Sequence, residues 1–230
     1  MNQFDNTVVR TSESILETNK VLKNTYVLLS MTLLFSALMA FISIQMLAGH
    51  PSGGVISISC SIAAMIILFF VMPRYEESSG IGGLVVTFLF TGLLGFGLGP
   101  LLGAIMANSA GGAQIVSTAL GGTGIIFLAL SGYAITTKKD FSFLGGFLMA
   151  GLVVLFLAII ANLFLNIGGL SLAINVGVLM IFSGLILWDT SRIIHGGETN
   201  YIRATVGLYI SIYNIFISLL QLLMAFSGND

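Results

Sequence analysis

The sequence predicts an all-α membrane protein with seven transmembrane helices. The prediction rests on a low charge content, on long stretches without charge, and on the grouping of the cations on one side. Of the 230 residues, 7% are charged and 57% are hydrophobic, whereas roughly 25% of the residues in a soluble domain are charged. So few charges cannot cover the surface of a soluble protein. The composition therefore excludes a soluble globule, a disordered chain and an electrostatic binder of nucleic acid.

The uncharged stretches set the number of crossings. Charged residues are missing from four segments, which are 24–73, 78–137, 141–188 and 204–229. A helix needs about 20 apolar residues to cross a bilayer, so the first three segments fit two crossings each and the last fits one. Clusters of Gly, Pro and Asn near His50, Asn108 and Asn166 divide the long segments. The predicted spans, numbered one to seven, are 25–48, 54–72, 81–106, 113–136, 142–165, 171–194 and 204–226.

The cations predict the orientation. All eight Lys and Arg residues group at one side of the predicted membrane, and they are Arg10, Lys20, Lys23, Arg74, Lys138, Lys139, Arg192 and Arg203. Because cytoplasmic loops carry an excess of Lys and Arg, the N-terminus is predicted inside and the C-terminus in the periplasm. The expected organisation is a cytoplasmic tail (1–24), a transmembrane domain (25–226) and a short periplasmic tail (227–230). We expect residues 1–12 to be irregular.

Small residues inside the spans predict close helix packing. Gly95 and Gly99 in span three have the GxxxG spacing, and Ser117 and Gly121 in span four have the same spacing. Small side chains let membrane helices approach each other closely. Both pairs are therefore expected to lie at helix–helix contacts.

Span seven carries a polar stripe, made of Gly207, Ser211, Asn214, Ser218 and Gln221. These residues recur at intervals of three or four and so share one helix face. Polar groups need partners inside a membrane, so span seven is expected to be largely enclosed by the other six. The stripe either supplies hydrogen bonds between helices or forms one wall of a polar pathway.

Asp189 is the acidic residue clearly inside a predicted span, near the cytoplasmic end of span six. One interpretation is an ion pair with Arg192, three residues later on the same helix. The other is a carboxylate that senses protons or cations and faces the interior of the bundle. Ser211 is predicted at a similar depth in span seven, so Asp189 and Ser211 are candidates for a shared site near the cytoplasmic mouth.

Signals of catalysis are poor. The sequence has no HExxH motif, no pair of carboxylates within the spans and no Cys/His cluster with metal-ligand spacing. We therefore expect no enzyme, no catalytic residue, no metal and no cofactor. The loop after span six carries three polar residues that are expected to be exposed, His195, Glu198 and Arg203. They are either solvated loop residues or contacts for a cytoplasmic partner.

Four segments resemble the Bax inhibitor-1 family of seven-span proteins, and within it the bacterial branch that modulates the FtsH protease. The segments are NKVLKNTYVLLS (19–30), TTKKDFSFLGG (136–146), IIHGGETNYIRAT (193–205) and LYISIYNIFISLL (208–220). The resemblance implies six spans around a central seventh in the bacterial inner (plasma) membrane. It also implies binding and restraint of FtsH, a membrane-anchored AAA+ protease.

The resemblance implies an alternative activity, a pH-sensitive leak of cations, chiefly calcium ions. In family members that leak, two Asp residues on spans six and seven form a proton-sensitive latch. Asp189 matches the first of them, but Ser211 stands at the position of the second, so this chain lacks half of the latch. The expected partners are thus an FtsH-type protease and membrane lipid, with the calcium ion in the alternative.

Overall fold

The computed structural model of the protein describes residues 3–47, 50–76, 80–108, 111–165 and 167–228. The described chain is helical and contains no strand. Its helices are Gln3–Leu47, Gly53–Ile66, Met72–Glu76, Ile81–Asn108, Gly112–Thr137, Leu144–Leu165, Gly168–Ile194 and Tyr201–Ser227, and the π-helical segment Ile67–Val71 joins the second to the third.

Seven segments are long and apolar enough to cross a membrane, which confirms the predicted number and order of the spans. Their bounds are Leu16–Leu47, Gly53–Tyr75, Ile81–Ala107, Gly112–Thr137, Leu144–Leu165, Gly168–Ile194 and Tyr201–Ser227. The orientation with the N-terminus in the cytoplasm stays a prediction.

The first helix begins well before the membrane. It runs without a break from Gln3 to Leu47, so the expectation of an irregular stretch is wrong for residues 3–12. Residues 1–2 lie outside the described residues. The sequence between Gln3 and Leu47 contains neither Gly nor Pro, so no helix-breaking residue separates the polar tail from span one.

Span seven lies in the middle of the bundle. In its most apolar stretch of 18 residues, 50% of the residues are buried, which is the largest share among the seven spans. It packs mainly on spans one, four and six and makes a smaller contact with span three. Span two packs mainly on span three, and span five packs mainly on span six. In the same measure, only 11% of span two and 6% of span five are buried. The central seventh helix is thus in direct contact with four spans, and the other two complete the outer layer.

Glycine decides which helices approach most closely. A Cβ atom added at Gly95 would overlap the backbone of Ser36 in span one, and one added at Gly99 would overlap the side chain of Ser43. The predicted close packing of Gly95 and Gly99 is confirmed. For Ser117 and Gly121 the prediction is wrong within this chain, because both are exposed and nothing lies within 4 Å of a Cβ at Gly121.

Candidate functional site

The candidate site lies at the end of the bundle where loop 138–143 and loop 195–200 meet the start of span one. We call it the cation-rich end, because Lys138 and Arg192 lie there beside the loop contacts described below. His195 contacts the carbonyl of Lys138, and a Cβ at Gly196 would lie 4.0 Å from the hydroxyl of Thr18. The structure thereby brings loops that are distant in sequence to one end of the bundle.

Asp189 packs against span seven at Gly207. A Cβ at Gly207 would lie 3.1 Å from Oδ2 of Asp189, so the absence of a side chain there makes room for the carboxylate. Ser211 lies one turn further along span seven and is 1% exposed, and its hydroxyl donates to the carbonyl of Gly207 at 3.1 Å. Asp189 is thus partly buried beside the polar stripe, and the Ser211 hydroxyl is engaged within its own helix.

Arg192 forms its ion pair with Glu198. The distance from Nη2 to Oε2 is 3.3 Å, and the same Nη2 donates to the carbonyl of Gly197. The guanidinium also lies 4.6 Å from the centre of the Trp188 ring, a cation–π contact. Of the two interpretations of Asp189, the ion pair with Arg192 is therefore not found in the described chain. Gly196, at φ +73°, reverses the chain after span six and carries Glu198 back to Arg192.

Glu198 closes the turn between spans six and seven. It is 7% exposed, so the prediction that it is exposed is wrong, whereas His195 and Arg203 are exposed. Its Oε1 accepts a hydrogen bond from the N–H of Asn200 at 3.0 Å. The Asn200 side chain in turn accepts from the N–H groups of Ile202 and Arg203 and caps the first turn of span seven. The loop residues thus set where the central helix begins.

Loop 138–143 is tied to the end of span six. The Ser191 hydroxyl accepts from the N–H of Phe141 at 3.0 Å and donates to the carbonyl of Lys139 at 3.3 Å. The His195 ring lies between two carbonyl oxygens, 2.9 Å from that of Ser191 and 3.1 Å from that of Lys138. These contacts hold spans four, five and six in fixed relation at the cation-rich end.

A local turn inside the same loop orders Asp140. Its Oδ1 accepts from the N–H of Ser142 at 2.8 Å. Hydrogen bonds from the side chain and the backbone of Ser142 lower the pKa of Asp140 below its usual value. Asp140 is therefore an anion at neutral pH, in the same loop as Lys138 and Lys139.

The remaining stripe residues are bonded inside the protein or exposed. Ser218 is buried, and Asn214, half-buried, donates to the carbonyl of Ile210 at 2.8 Å. Gln221 is exposed and accepts from Asn175 of span six at 3.0 Å. Of these hydrogen bonds, those of Ser211 and Asn214 lie within span seven, and that of Gln221 joins span seven to span six. The two interpretations of the stripe therefore stay predictions.

Hydroxyl contacts between spans were missed by the sequence reasoning. The Tyr209 hydroxyl lies 2.6 Å from that of Ser36 and donates to the carbonyl of Thr91, which joins spans seven, one and three. The Tyr26 hydroxyl bonds to that of Ser131 in span four. The sequence did carry one signal for these contacts, because a hydroxyl group in an apolar span needs a hydrogen-bond partner.

Among the residues that the structure describes, no three His, Cys, Asp or Glu side chains come together as metal ligands. The described site is instead a set of ion-paired and hydrogen-bonded helix ends around a buried central span. This arrangement defines a multi-pass helical membrane protein whose polar groups hold its spans together.

The comparisons with known proteins give the family. Residues 18–228 match the model of the family described as inhibitor of apoptosis-promoting Bax1, and the chain belongs to this family. It is 49% identical over 217 residues to the modulator of FtsH protease YccA of Escherichia coli strain K12, covering 94% of each chain. It is similarly 49% identical over 220 residues to an uncharacterized membrane protein of Vibrio cholerae, covering 95% of each chain.

A protein of Escherichia coli O6:H1 with the same identity is named inner membrane protein YccA. Together with the seven spans, this similarity makes the chain a multi-pass protein of the bacterial inner membrane.

Proposed function

We propose that the protein is a non-enzymatic regulator that binds and restrains an FtsH-type protease in the bacterial inner membrane. The observation that carries the proposal is the identity of 49%, over 94% of both chains, with a relative named modulator of FtsH protease. The proposal includes an N-terminus in the cytoplasm, which the positive-inside bias favours. An ATP-driven protease can grip a polar tail on that side of the membrane.

The first helix supports this mode of engagement. Its polar N-terminal part begins at Gln3, and span one begins at Leu16 within the same helix. Since no Gly or Pro interrupts the helix, a pull on the tail acts directly on span one. A force that the protease applies to the tail is therefore transmitted to one membrane helix, span one.

Span one is well placed to resist that load. Gly95 and Gly99 let span three pack closely on it, and Ser36 bonds to Tyr209 of the central span. The Thr205 hydroxyl of span seven also donates to the carbonyl of Thr25 at 3.2 Å. Hydrogen bonds between membrane helices contribute roughly 0.6 kcal/mol each on average, and close packing adds to them. A protease that grips the tail but cannot extract span one is held away from other clients.

The experiment combines association with client turnover. The protein is crosslinked to FtsH in native membranes, and the half-life of a known FtsH client is measured with and without it. We expect association and a longer client half-life. No association together with an unchanged half-life would contradict the proposal.

Two variants separate gripping from resistance. Deletion of residues 2–14 removes the polar tail that the protease grips, so both the association with FtsH and the longer client half-life should be lost. Gly95→Leu loosens span one, so this variant should still associate but should be degraded and should no longer protect the client. Gly121→Leu, at an exposed glycine with open space, is the matched control and should behave as wild type.

A cation leak is the second candidate function. The observation that favours it is Asp189, a partly buried carboxylate in span six that packs on Gly207 and is not the ion-pair partner of Arg192. An ionisable group inside a span is a functional candidate by default. Calcium flux into proteoliposomes should fall in Asp189→Asn, and Ser211→Asp should add pH dependence by restoring a second carboxylate. Flux no higher than in empty vesicles excludes this candidate.

A further inference from the structure

A groove opens on the side of the bundle between spans one and four. Its volume is about 390 Å³. Span seven forms its floor, and span three contributes to one wall. We call it the lateral groove, and its principal lining residues are Ala37, Phe41, Leu102, Leu120, Gly124 and Phe216.

The groove faces the bilayer. Phe41 on one wall is 59% exposed and Leu120 on the other is 57% exposed, so the two rims look outward from the bundle. The residues on span one belong to its second half, and those on span four, apart from Phe127 just past the midpoint, belong to its first half. The groove therefore extends from mid-membrane toward the end opposite the cation-rich end.

Small side chains create the gap. Nothing lies within 4 Å of a Cβ at Gly124, and the facing Ala37 is also small and exposed. Spans one and four do meet near the cation-rich end, where Tyr26 bonds to Ser131. The two helices thus touch at one end and leave the lateral groove toward the other.

The lining favours a hydrocarbon ligand. Of the four hydroxyl groups in the lining, three are bonded within the protein: Ser36 with Tyr209, Tyr209 with the carbonyl of Thr91, and Thr123 with the carbonyl of Ala119 at 2.7 Å. Apolar cavities of about 150 Å³ stay free of water and take up apolar molecules. A helix about 10 Å across is too wide for this volume, whereas an extended chain is not.

We propose that the lateral groove binds one acyl chain of a membrane phospholipid. The lipid comes from the leaflet opposite the cation-rich end, since the groove extends toward that end. Bilayer hydrocarbon surrounds the opening at this depth and is the medium from which the groove is filled. The bound chain covers the floor formed by span seven and packs between spans one and four where these two helices separate.

Photocrosslinking in vesicles tests the proposal. The full-length protein is reconstituted into phosphatidylethanolamine and phosphatidylglycerol with a trace of phosphatidylethanolamine that carries a diazirine in its acyl chain. After irradiation, adducts are mapped by mass spectrometry. We expect the groove residues of spans one and four to be labelled at least about threefold more than Phe156 and Leu157, which are exposed on span five. Even labelling of all lipid-facing residues would overturn the proposal.

Filling the groove provides the second arm. Gly124→Leu occupies it from span four and Ala37→Leu from span one, so groove labelling should fall several-fold in each. Gly121→Leu adds the same side chain on span four at an exposed position outside the lining, and should leave labelling unchanged. Gel filtration and thermal unfolding identify any filling variant that does not fold. If neither filling variant folds, the labelling pattern of the wild-type protein tests the proposal by itself. Folded filling variants that keep full groove labelling would also overturn the proposal.

Discussion

The hydroxyl oxygens of Tyr209 and Ser36 lie 2.6 Å apart in the buried centre of the bundle, although the two residues are 173 positions apart in sequence. The Tyr209 hydroxyl also donates to the carbonyl of Thr91 at 3.2 Å. One side chain of the central span thereby joins spans one and three. Because Tyr209 is 1% exposed, water cannot replace these partners when they are removed.

Tyr209→Phe should lower the free energy of unfolding by about 1 kcal/mol, because it removes two hydrogen bonds and keeps the ring. Unfolding in mixed detergent micelles, followed by circular dichroism, measures the change. Tyr133→Phe is the control, since Tyr133 is 44% exposed and should tolerate the loss of its hydroxyl. Equal stability of the two variants would contradict a role of the Tyr209 hydroxyl in joining the spans.

Gly95→Ala should destabilise the bundle by about 1–3 kcal/mol, because its Cβ would overlap the backbone of Ser36 and force spans one and three apart. Gly121→Ala adds the same methyl group to an exposed position with open space. That control should be neutral or slightly stabilising, since Ala is the better helix former. The same unfolding assay compares them, and a neutral Gly95→Ala would be inconsistent with the close packing.

Glu198→Ala should cost about 1–2 kcal/mol, since it removes the ion pair with Arg192 and the hydrogen bond to the N–H of Asn200. The loss is moderate because the Arg192 side chain is 30% exposed and water can solvate it. A double-mutant cycle with Arg192→Ala isolates the pair. Glu17→Ala, at an exposed position, should have little effect. If the double variant lost only the sum of the stabilities lost in the two single variants, the ion pair between Arg192 and Glu198 would contribute nothing to folding.

Ser191→Ala should release loop 138–143 from span six, because the N–H of Phe141 loses its acceptor. Hydrogen exchange measured by mass spectrometry should become about tenfold faster in the loop, which corresponds to about 1.4 kcal/mol. Exchange in span five should stay unchanged, and it serves as the internal reference. Uniformly faster exchange over the whole chain would instead indicate general unfolding.

The number, order and approximate bounds of the spans follow from local composition. A crossing requires a run of apolar residues that only a helix can present to lipid, so charge-free length and the breaks near His50, Asn108 and Asn166 were enough to count them. The polar stripe of span seven likewise indicated enclosure, because a row of polar side chains on one helix face is disfavoured against lipid, and Ser211 and Ser218 are indeed buried. Each of these inferences depends on residues close together in one sequence window.

Partner choice depends on contacts between distant segments, and there the local pattern was insufficient. The spacing of Asp189 and Arg192 suggested an ion pair, but the reversal at Gly196 brings Glu198 to Arg192, and Gly207 makes room for Asp189. Gly95 and Gly121 have equivalent spacing patterns, yet one lies against span one and the other faces outward. Sequence spacing places a residue on a helix face, whereas the packing of the other helices decides whether that face meets protein or lipid.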